Sequence, residues 1–230
     1  MAPTKSDVLI LGGGVIGLAC AHYLLRDGRS VRILEMGRAG AATSHGNCGT
    51  ITPSHAMPLA MPGVIGQALR WIFQADAPLR IAPRLDFALL EWLLQFAHRC
   101  TWSEFKRTTA AKAPLLVFAR QALEELVRSQ NLECEFATNG TLAVYRDPKT
   151  FEGSDWLPRT LAKVGIAVEI LDGAQCRALE PTLNDSIVAG YRYPGDASLR
   201  PNRYLSELAR RVREEGGDIV ESTRVEGFRS

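Results

Sequence analysis

Apolar positions along the chain fall either in short unbroken runs or at helical spacing, and the first 35 residues lay out one such series completely. Val8-Leu9-Ile10-Leu11 is a four-residue apolar run that stops at Gly12-Gly13-Gly14, the pattern of a buried strand entering a turn. From Val15 to about Asp27, Leu18, Ala21, Leu24 and Leu25 recur at helical spacing. Gly28 then stands where a helix C-terminus favours left-handed backbone. Ser30 to Glu35 reads as a second strand. Strand, turn, helix and strand in this order make a βαβ unit.

Residues 36–63 read as a loop, with Pro53, Pro58 and Pro62 excluding a long helix. Helical spacing returns at about 64–74 and at 86–99. The second of these is apolar nearly all round (Phe87, Leu89, Leu90, Trp92, Leu93, Leu94, Phe96), which predicts burial in a core rather than placement on a membrane. A longer helix is expected over 103–129, with Pro114 as a kink or break. Thr141–Tyr145 follows the Asn139-Gly140 turn signal as a strand, and 150–164 and 172–179 read as helices around a short strand at Val168–Ile170. Tyr191–Tyr193 reads as a strand. An amphipathic helix from Arg203 to Glu215 closes at Gly216-Gly217, and Asp218 to Val225 reads as a final strand.

Composition narrows the function classes. The chain is 46% hydrophobic and 23% charged, and its 27 basic and 25 acidic residues leave a net charge of +2, which gives no reason to expect nucleic acid as a partner. Five cysteines (Cys20, Cys48, Cys100, Cys134, Cys176) lack CxxC spacing, arguing against a disulfide framework and against a metal site, and pointing to a reducing, cytoplasmic compartment. The run before the glycines is too short for a signal-peptide core, and no stretch has the length of a membrane span. A soluble chain, at most peripherally attached to a membrane, is expected.

Gly12-Gly13-Gly14-Val15-Ile16-Gly17 matches G-x-G-x-x-G, opening a helix directly after a strand. Gly12 permits the tight turn, Gly14 lets backbone approach a pyrophosphate, and Gly17 lets helix and strand pack closely. The pyrophosphate would be held by N–H groups at the helix end, those of Val15 and Ile16 included. Glu35 ends the second strand, 23 residues after Gly12, where a carboxylate can accept hydrogen bonds from a ribose diol and disfavours the 2′-phosphate of NADP. The motif is silent between FAD and NAD, and the next segment decides. Arg38 and Ala42-Thr43-Ser44-His45-Gly46-Asn47-Cys48-Gly49 put small residues, hydroxyls and backbone N–H groups into one loop that can pass a second face of the pyrophosphate. A nicotinamide domain would proceed directly to its next repeat.

On these residues the chain resembles the D-amino acid oxidase superfamily of FAD-dependent oxidoreductases, most closely the bacterial D-amino acid dehydrogenase branch. The resemblance rests on the GGGVIG turn, Glu35, the TSHGNCG loop and the following PLAMPG. It continues in Trp71-Ile72-Phe73 before Ala77-Pro78-Leu79, Gly140-Thr141-Leu142, Leu179-Glu180-Pro181 and Tyr193-Pro194-Gly195-Asp196, and so runs from residue 7 to about 228. It implies an α/β flavoprotein: a Rossmann-like FAD-binding domain of residues 1–62, resumed at 202–230, with an inserted α+β substrate domain built on a mixed sheet within 63–201. The cofactor-binding residues expected are Gly12, Gly14, Val15, Ile16, Gly17, Glu35, Met36, Arg38, Thr43, Ser44, Asn47, Cys48, Gly49 and Val225, the last meeting the adenine through its backbone.

The implied reaction is oxidative deamination of a D-amino acid by hydride transfer from the substrate carbon to flavin N5, with a quinone or dye-linked chain rather than oxygen as electron acceptor. A glycine-, sarcosine- or hydroxyproline-type oxidase of the same superfamily, and a non-catalytic dinucleotide-binding module, stay open as alternatives. Family members continue well beyond residue 230, so the chain is expected to be truncated and inactive alone, and no catalytic residue is named. His45 and Cys48 depart from the loop residues common in relatives, and side chains there are expected to be packing or solvent neighbours. His22 and His98 are expected to be structural, and His55 is undecided.

Overall fold

The computed structural model describes residues 5–71 and 86–228. In chain order its elements are β1 (Val8–Leu11), α1 (Val15–Arg26), β2 (Val31–Leu34), β3 (Thr50–Ile51), a 3-10 turn (Pro53–His55), α2 (Val64–Trp71), α3 (Phe87–Arg99) and α4 (Trp102–Ser129). They continue with β4 (Thr141–Tyr145), α5 (Pro148–Glu152), α6 (Trp156–Ala162), β5 (Glu169–Asp172), α7 (Gly173–Leu179), β6 (Ala189–Tyr193), β7 (Ala197–Ser198), α8 (Pro201–Glu214) and β8 (Asp218–Val220). The family resemblances at Ile72-Phe73 and at 77–79, and the helical pattern past Trp71, lie outside the described residues.

Two compact units form, each discontinuous in sequence: residues 1–51, 120–139 and 196–230 in one, and 52–119 and 140–195 in the other. The stretch 120–139 belongs to the first of these units.

In the first unit β1, β2 and β8 form a parallel sheet in the order β1-β2-β8, with Val8 opposite Val31 and Leu34 opposite Val220. The βαβ unit expected from the alternating pattern is therefore present. Its core joins strand and helix faces: Leu18, Ala21, Val31, Ile33, Leu205, Leu208 and Val212 are all buried. Each large aliphatic side chain removed from water in this way contributes about 1.5–3 kcal/mol. His22 of α1 is fully buried, and its Nδ1 lies 2.8 Å from the Glu215 carboxylate just past α8. That matches the structural role expected of His22. A two-residue antiparallel ladder, Thr50 opposite Ser198 and Ile51 opposite Ala197, ties the end of the long loop to the entry of α8.

The second unit is organised by a sheet in the order β4-β6-β5, antiparallel throughout among the described residues. Ala113, Leu161, Ile166, Tyr191 and Tyr193 are its buried core, and the rings of Tyr145, Phe151 and Tyr191 meet with centroids 5.0–5.6 Å apart.

Four local expectations are corrected. The helix expected over 150–164 is two helices, parted at Gly153-Ser154, where the Ser154 hydroxyl donates to the Phe151 carbonyl at 2.6 Å and so competes with helix continuation. Pro114 does not break α4, which runs on to Ser129; the buried neighbour Ala113 belongs to the core. The last strand ends at Val220 rather than Val225, because Ser222 adopts φ +53° and an extended ladder cannot pass through left-handed backbone. The apolar helix α3 has no buried residue: Phe87 is 90% exposed and Leu94 64%. Leu89, Leu93 and Phe96 are half-buried on one side, while Phe87, Leu90 and Leu94 form an i, i+3, i+7 stripe on another. Apolar residues on every side of a short helix do not state which side meets a neighbour.

Candidate functional site

The first unit brings the glycine turn, the tip of β2 and the 36–49 loop together at the C-terminal ends of its parallel strands. Gly12 holds φ +102°, a backbone region that glycine alone enters freely, so the chain reverses sharply out of β1. Its N–H donates to the Leu34 carbonyl at 2.9 Å, joining the turn to β2. A Cβ on Gly17 would collide with the Gly12 carbonyl oxygen, so α1 leaves the turn with its first coil pressed against β1. Gly14 precedes α1 in extended conformation with no side-chain cap. Helix geometry leaves the first-turn N–H groups without partners inside the helix. Ile16 is 77% exposed there. This end of α1 therefore presents donors and a positive partial charge to an anion.

Glu35 faces this turn. Its Oε2 accepts the Gly13 N–H at 2.7 Å and its Oε1 accepts the Gly37 N–H at 2.7 Å. Each carboxylate oxygen has a second lone pair, so capacity for a diol remains after both contacts. The stretch after β8 folds back over β2: the Ser222 N–H donates to the Gly37 carbonyl and the Thr223 N–H to the Glu35 carbonyl, both at 2.8 Å. A cavity of about 520 Å³ opens beside these groups, lined by Leu11, Gly12, Leu34, Glu35, Met36 and residues 223–228. Pockets of this size hold drug-sized ligands.

The loop supplies the other wall. Ser44 Oγ accepts the Val15 N–H at 3.2 Å, so a hydroxyl sits on the first donor of α1. The Asn47 amide donates to the Ser44 carbonyl and accepts from the Gly49 N–H, each at 2.7 Å. The Gly49 carbonyl accepts the Leu199 N–H at 2.9 Å, and the Gly40 N–H donates to the Gly13 carbonyl at 2.8 Å. Val15, Ser44, Asn47 and Gly49 border a second, smaller hollow of about 150 Å³.

The residues singled out in the sequence thus fall into three groups. Gly12, Glu35, Met36 and Val225 line the larger cavity. Gly14, Val15, Ile16, Gly17, Ser44, Asn47 and Gly49 surround the start of α1 or border the smaller hollow. Arg38, Thr43 and Cys48 are exposed and line neither. His45 and His55 are also exposed. Sequence reasoning missed Gly13, whose N–H fixes Glu35, and Arg224 and Phe228 in the cavity wall. Gly13 is a variable position of the motif, and nothing in the pattern of 223–228 announces a fold-back. Among the described residues no group of His, Cys, Asp or Glu could hold a metal, and no helix is long and apolar enough to cross a membrane.

Comparison with known proteins gives this geometry a context. The family described as DAO, FAD dependent oxidoreductase, matches residues 7–230. The D-amino acid dehydrogenase of Granulibacter bethesdensis is 34% identical over 225 residues, which are 96% of this chain and 54% of that protein. That of Phenylobacterium zucineum is 35% identical over 226 residues, 96% of this chain and 53% of that protein. The chain spans about half the length of the curated relatives it matches. Among solved structures, glycine oxidase from Bacillus cereus aligns with a TM-score of 0.62 at 22% identity, over 98% of this chain and 48% of the other. L-α-glycerophosphate oxidase from Mycoplasma pneumoniae, solved with FAD bound, aligns with a TM-score of 0.65 at 20% identity, over 97% of this chain and 46% of the other. The structural likenesses carry the fold, a Rossmann-like unit with an α+β unit inserted in it. With the family match running from residue 7 to residue 230, the chain is a member of the DAO family of FAD-dependent oxidoreductases.

Proposed function

We propose that the first unit binds FAD and that the second belongs to the substrate domain of an enzyme that deaminates a D-amino acid oxidatively. The observation that carries this reading is the Glu35 carboxylate, fastened between Gly13 and Gly37 at one end of the cavity that Met36 and Val225 also line. An anionic acceptor beside a helix N-terminus suits an adenosine ribose followed by a diphosphate. The residues present fit such a group: an extended Gly14, a first turn with free donors, and a fixed carboxylate.

In this reading the N–H groups of Ile16 and Gly17, with the Ser44 hydroxyl, receive the diphosphate. Glu35 accepts the ribose hydroxyls, and the Val225 main chain meets the adenine edge beside Met36. Arg38, whose guanidinium has no partner among the described residues, balances phosphate charge from the loop. Thr43, Asn47, Cys48 and Gly49 continue the loop toward the flavin. FAD, when bound, supplies the acceptor for the hydride that leaves the substrate Cα as the amine becomes an imine, which water then hydrolyses to a keto acid and ammonia. The names of the relatives support a D-amino acid as substrate. A quinone or dye-linked chain takes the electrons onward, with at most peripheral membrane contact. The five thiols, none of them in a disulfide, suit the cytoplasm.

Titration of FAD into the purified protein tests the first half of this reading through quenching of flavin fluorescence, and absence of binding defeats it. Anaerobic addition of D-amino acids to the FAD-loaded protein in a form spanning the full length of its relatives tests the second, since the chain alone covers about half of that length. Loss of the flavin absorbance with D-alanine but not with its L-enantiomer or glycine is the expected result. Bleaching by glycine or sarcosine, followed by reoxidation with peroxide release once oxygen is admitted, would replace deamination of D-amino acids by an amine oxidase.

A further inference from the structure

Asn47 was expected to touch the cofactor, yet both ends of its amide are taken by the loop's own main chain. Nδ2 donates to the Ser44 carbonyl and Oδ1 accepts the Gly49 N–H, each at 2.7 Å. Each partner is itself tied to a different element. Ser44 reaches α1 through its hydroxyl on the Val15 N–H, and the buried Gly49 reaches the segment before α8 through its carbonyl and the Leu199 N–H. The side chain thus closes a continuous chain of hydrogen bonds from the first turn of α1 to the entry of α8, all within one compact unit. A hydroxyl on a flexible loop has no reason to stay on a helix end that water can serve equally well, since the net gain of one such bond is small. A side chain that fixes the loop on both sides of residue 46 removes that freedom beforehand.

We propose that Asn47 is a positioning residue: it sets the Ser44 hydroxyl at the N-terminus of α1, and cofactor affinity depends on it through Ser44 rather than by contact. This rests on the reading that the unit binds FAD. The two routes predict different arithmetic. If Asn47 acts through Ser44, removing either side chain removes the same contribution. If Asn47 touches the cofactor independently, the two losses multiply.

The experiment is a double-mutant cycle on FAD affinity with wild type, N47A, S44A and N47A/S44A, joined to amide hydrogen exchange on each protein without cofactor. Each single variant is expected to weaken FAD by about 5- to 30-fold, with the double variant no weaker than the worse single variant by more than about twofold. N47A is also expected to accelerate exchange at Val15 and Gly49 while the amides of β1 and β2 keep wild-type rates. A double variant whose loss equals the product of the single losses overturns the proposal, as does an N47A protein that binds FAD like wild type. Uniform acceleration across the sheet overturns it too, because that signals loss of fold. If the wild-type protein binds no FAD, the functional reading fails, and exchange at Val15 still decides whether Asn47 positions Ser44.

Discussion

Replacing Gly17 by alanine adds one methyl group at the closest approach of α1 to the turn. The new Cβ would strike the Gly12 carbonyl oxygen and stand 3.2 Å from both the Gly12 carbonyl carbon and Ile10 Cγ2. The carbonyl belongs to backbone and cannot rotate away as a side chain would. Overpacking of this kind costs about 1–3 kcal/mol, against which alanine recovers up to about 1 kcal/mol of helix propensity. Because backbone must move, the cost falls in the upper part of that range, about 2–3 kcal/mol. A net destabilisation of about 1–2 kcal/mol follows, which lowers the melting temperature by roughly 2–8 °C for a chain of this size. Displacing the Gly12 turn also moves the α1 donors, so FAD is expected to bind about tenfold more weakly or worse, equivalent to about 1.4 kcal/mol. Gly66 in α2 provides the matched control, since a Cβ there meets nothing within 4 Å. Its alanine variant is expected to melt up to about 4 °C higher through propensity alone. Differential scanning calorimetry with fluorescence titration of FAD reads both variants. A Gly17→Ala protein that melts at or above wild type with unchanged FAD affinity would refute the steric reasoning.

Glu35→Gln keeps one acceptor and loses the charge, and about a 10- to 150-fold weaker FAD complex is expected from a hydrogen-bonded carboxylate, with unchanged affinity as the contrary result by fluorescence titration. Burial, helped by Tyr23 and Cys134, pushes the Tyr204 phenol up to about 12. The folded state then holds its proton more tightly than the unfolded chain, whose phenol ionises near 10, so about 2–3 kcal/mol of stability is present below pH 10 and is lost as pH rises toward 12. Urea melts of Tyr204→Phe should flatten that alkaline limb; an equally steep loss in the variant assigns the effect elsewhere. Leu94→Ser, on the exposed stripe of α3, should change stability by no more than about 0.5 kcal/mol in the same melts, whereas a buried leucine would cost 2 kcal/mol or more.

The βαβ unit was legible because every local signal agreed there. The apolar run at Val8–Leu11, the glycines, the Leu18 and Ala21 face, Gly28 and Glu35 each have one structural meaning, and the parallel register follows from them. Extents elsewhere were less legible because single residues decided them late. Ser222 ends β8 by a dihedral angle that serine seldom adopts, and Ser154 parts α5 from α6 through a hydroxyl contact. In the site, the location of Glu35 was readable from its spacing, but its grip on Gly13 and Gly37 was not, since main-chain partners leave no mark on residue identity. The inward and outward sides of α3 could not be told apart, as both carry leucine and phenylalanine.

In the proposed reading, the two amide contacts of Glu35 couple nucleotide preference to the shape of the protein itself. One carboxylate spans the turn after β1 and the turn after β2, so aspartate, shorter by a methylene, would release one of them. Replacing the carboxylate altogether would leave the Gly13 and Gly37 N–H groups both to be partnered anew. The acidic side chain and the geometry of the two turns therefore form one structural unit.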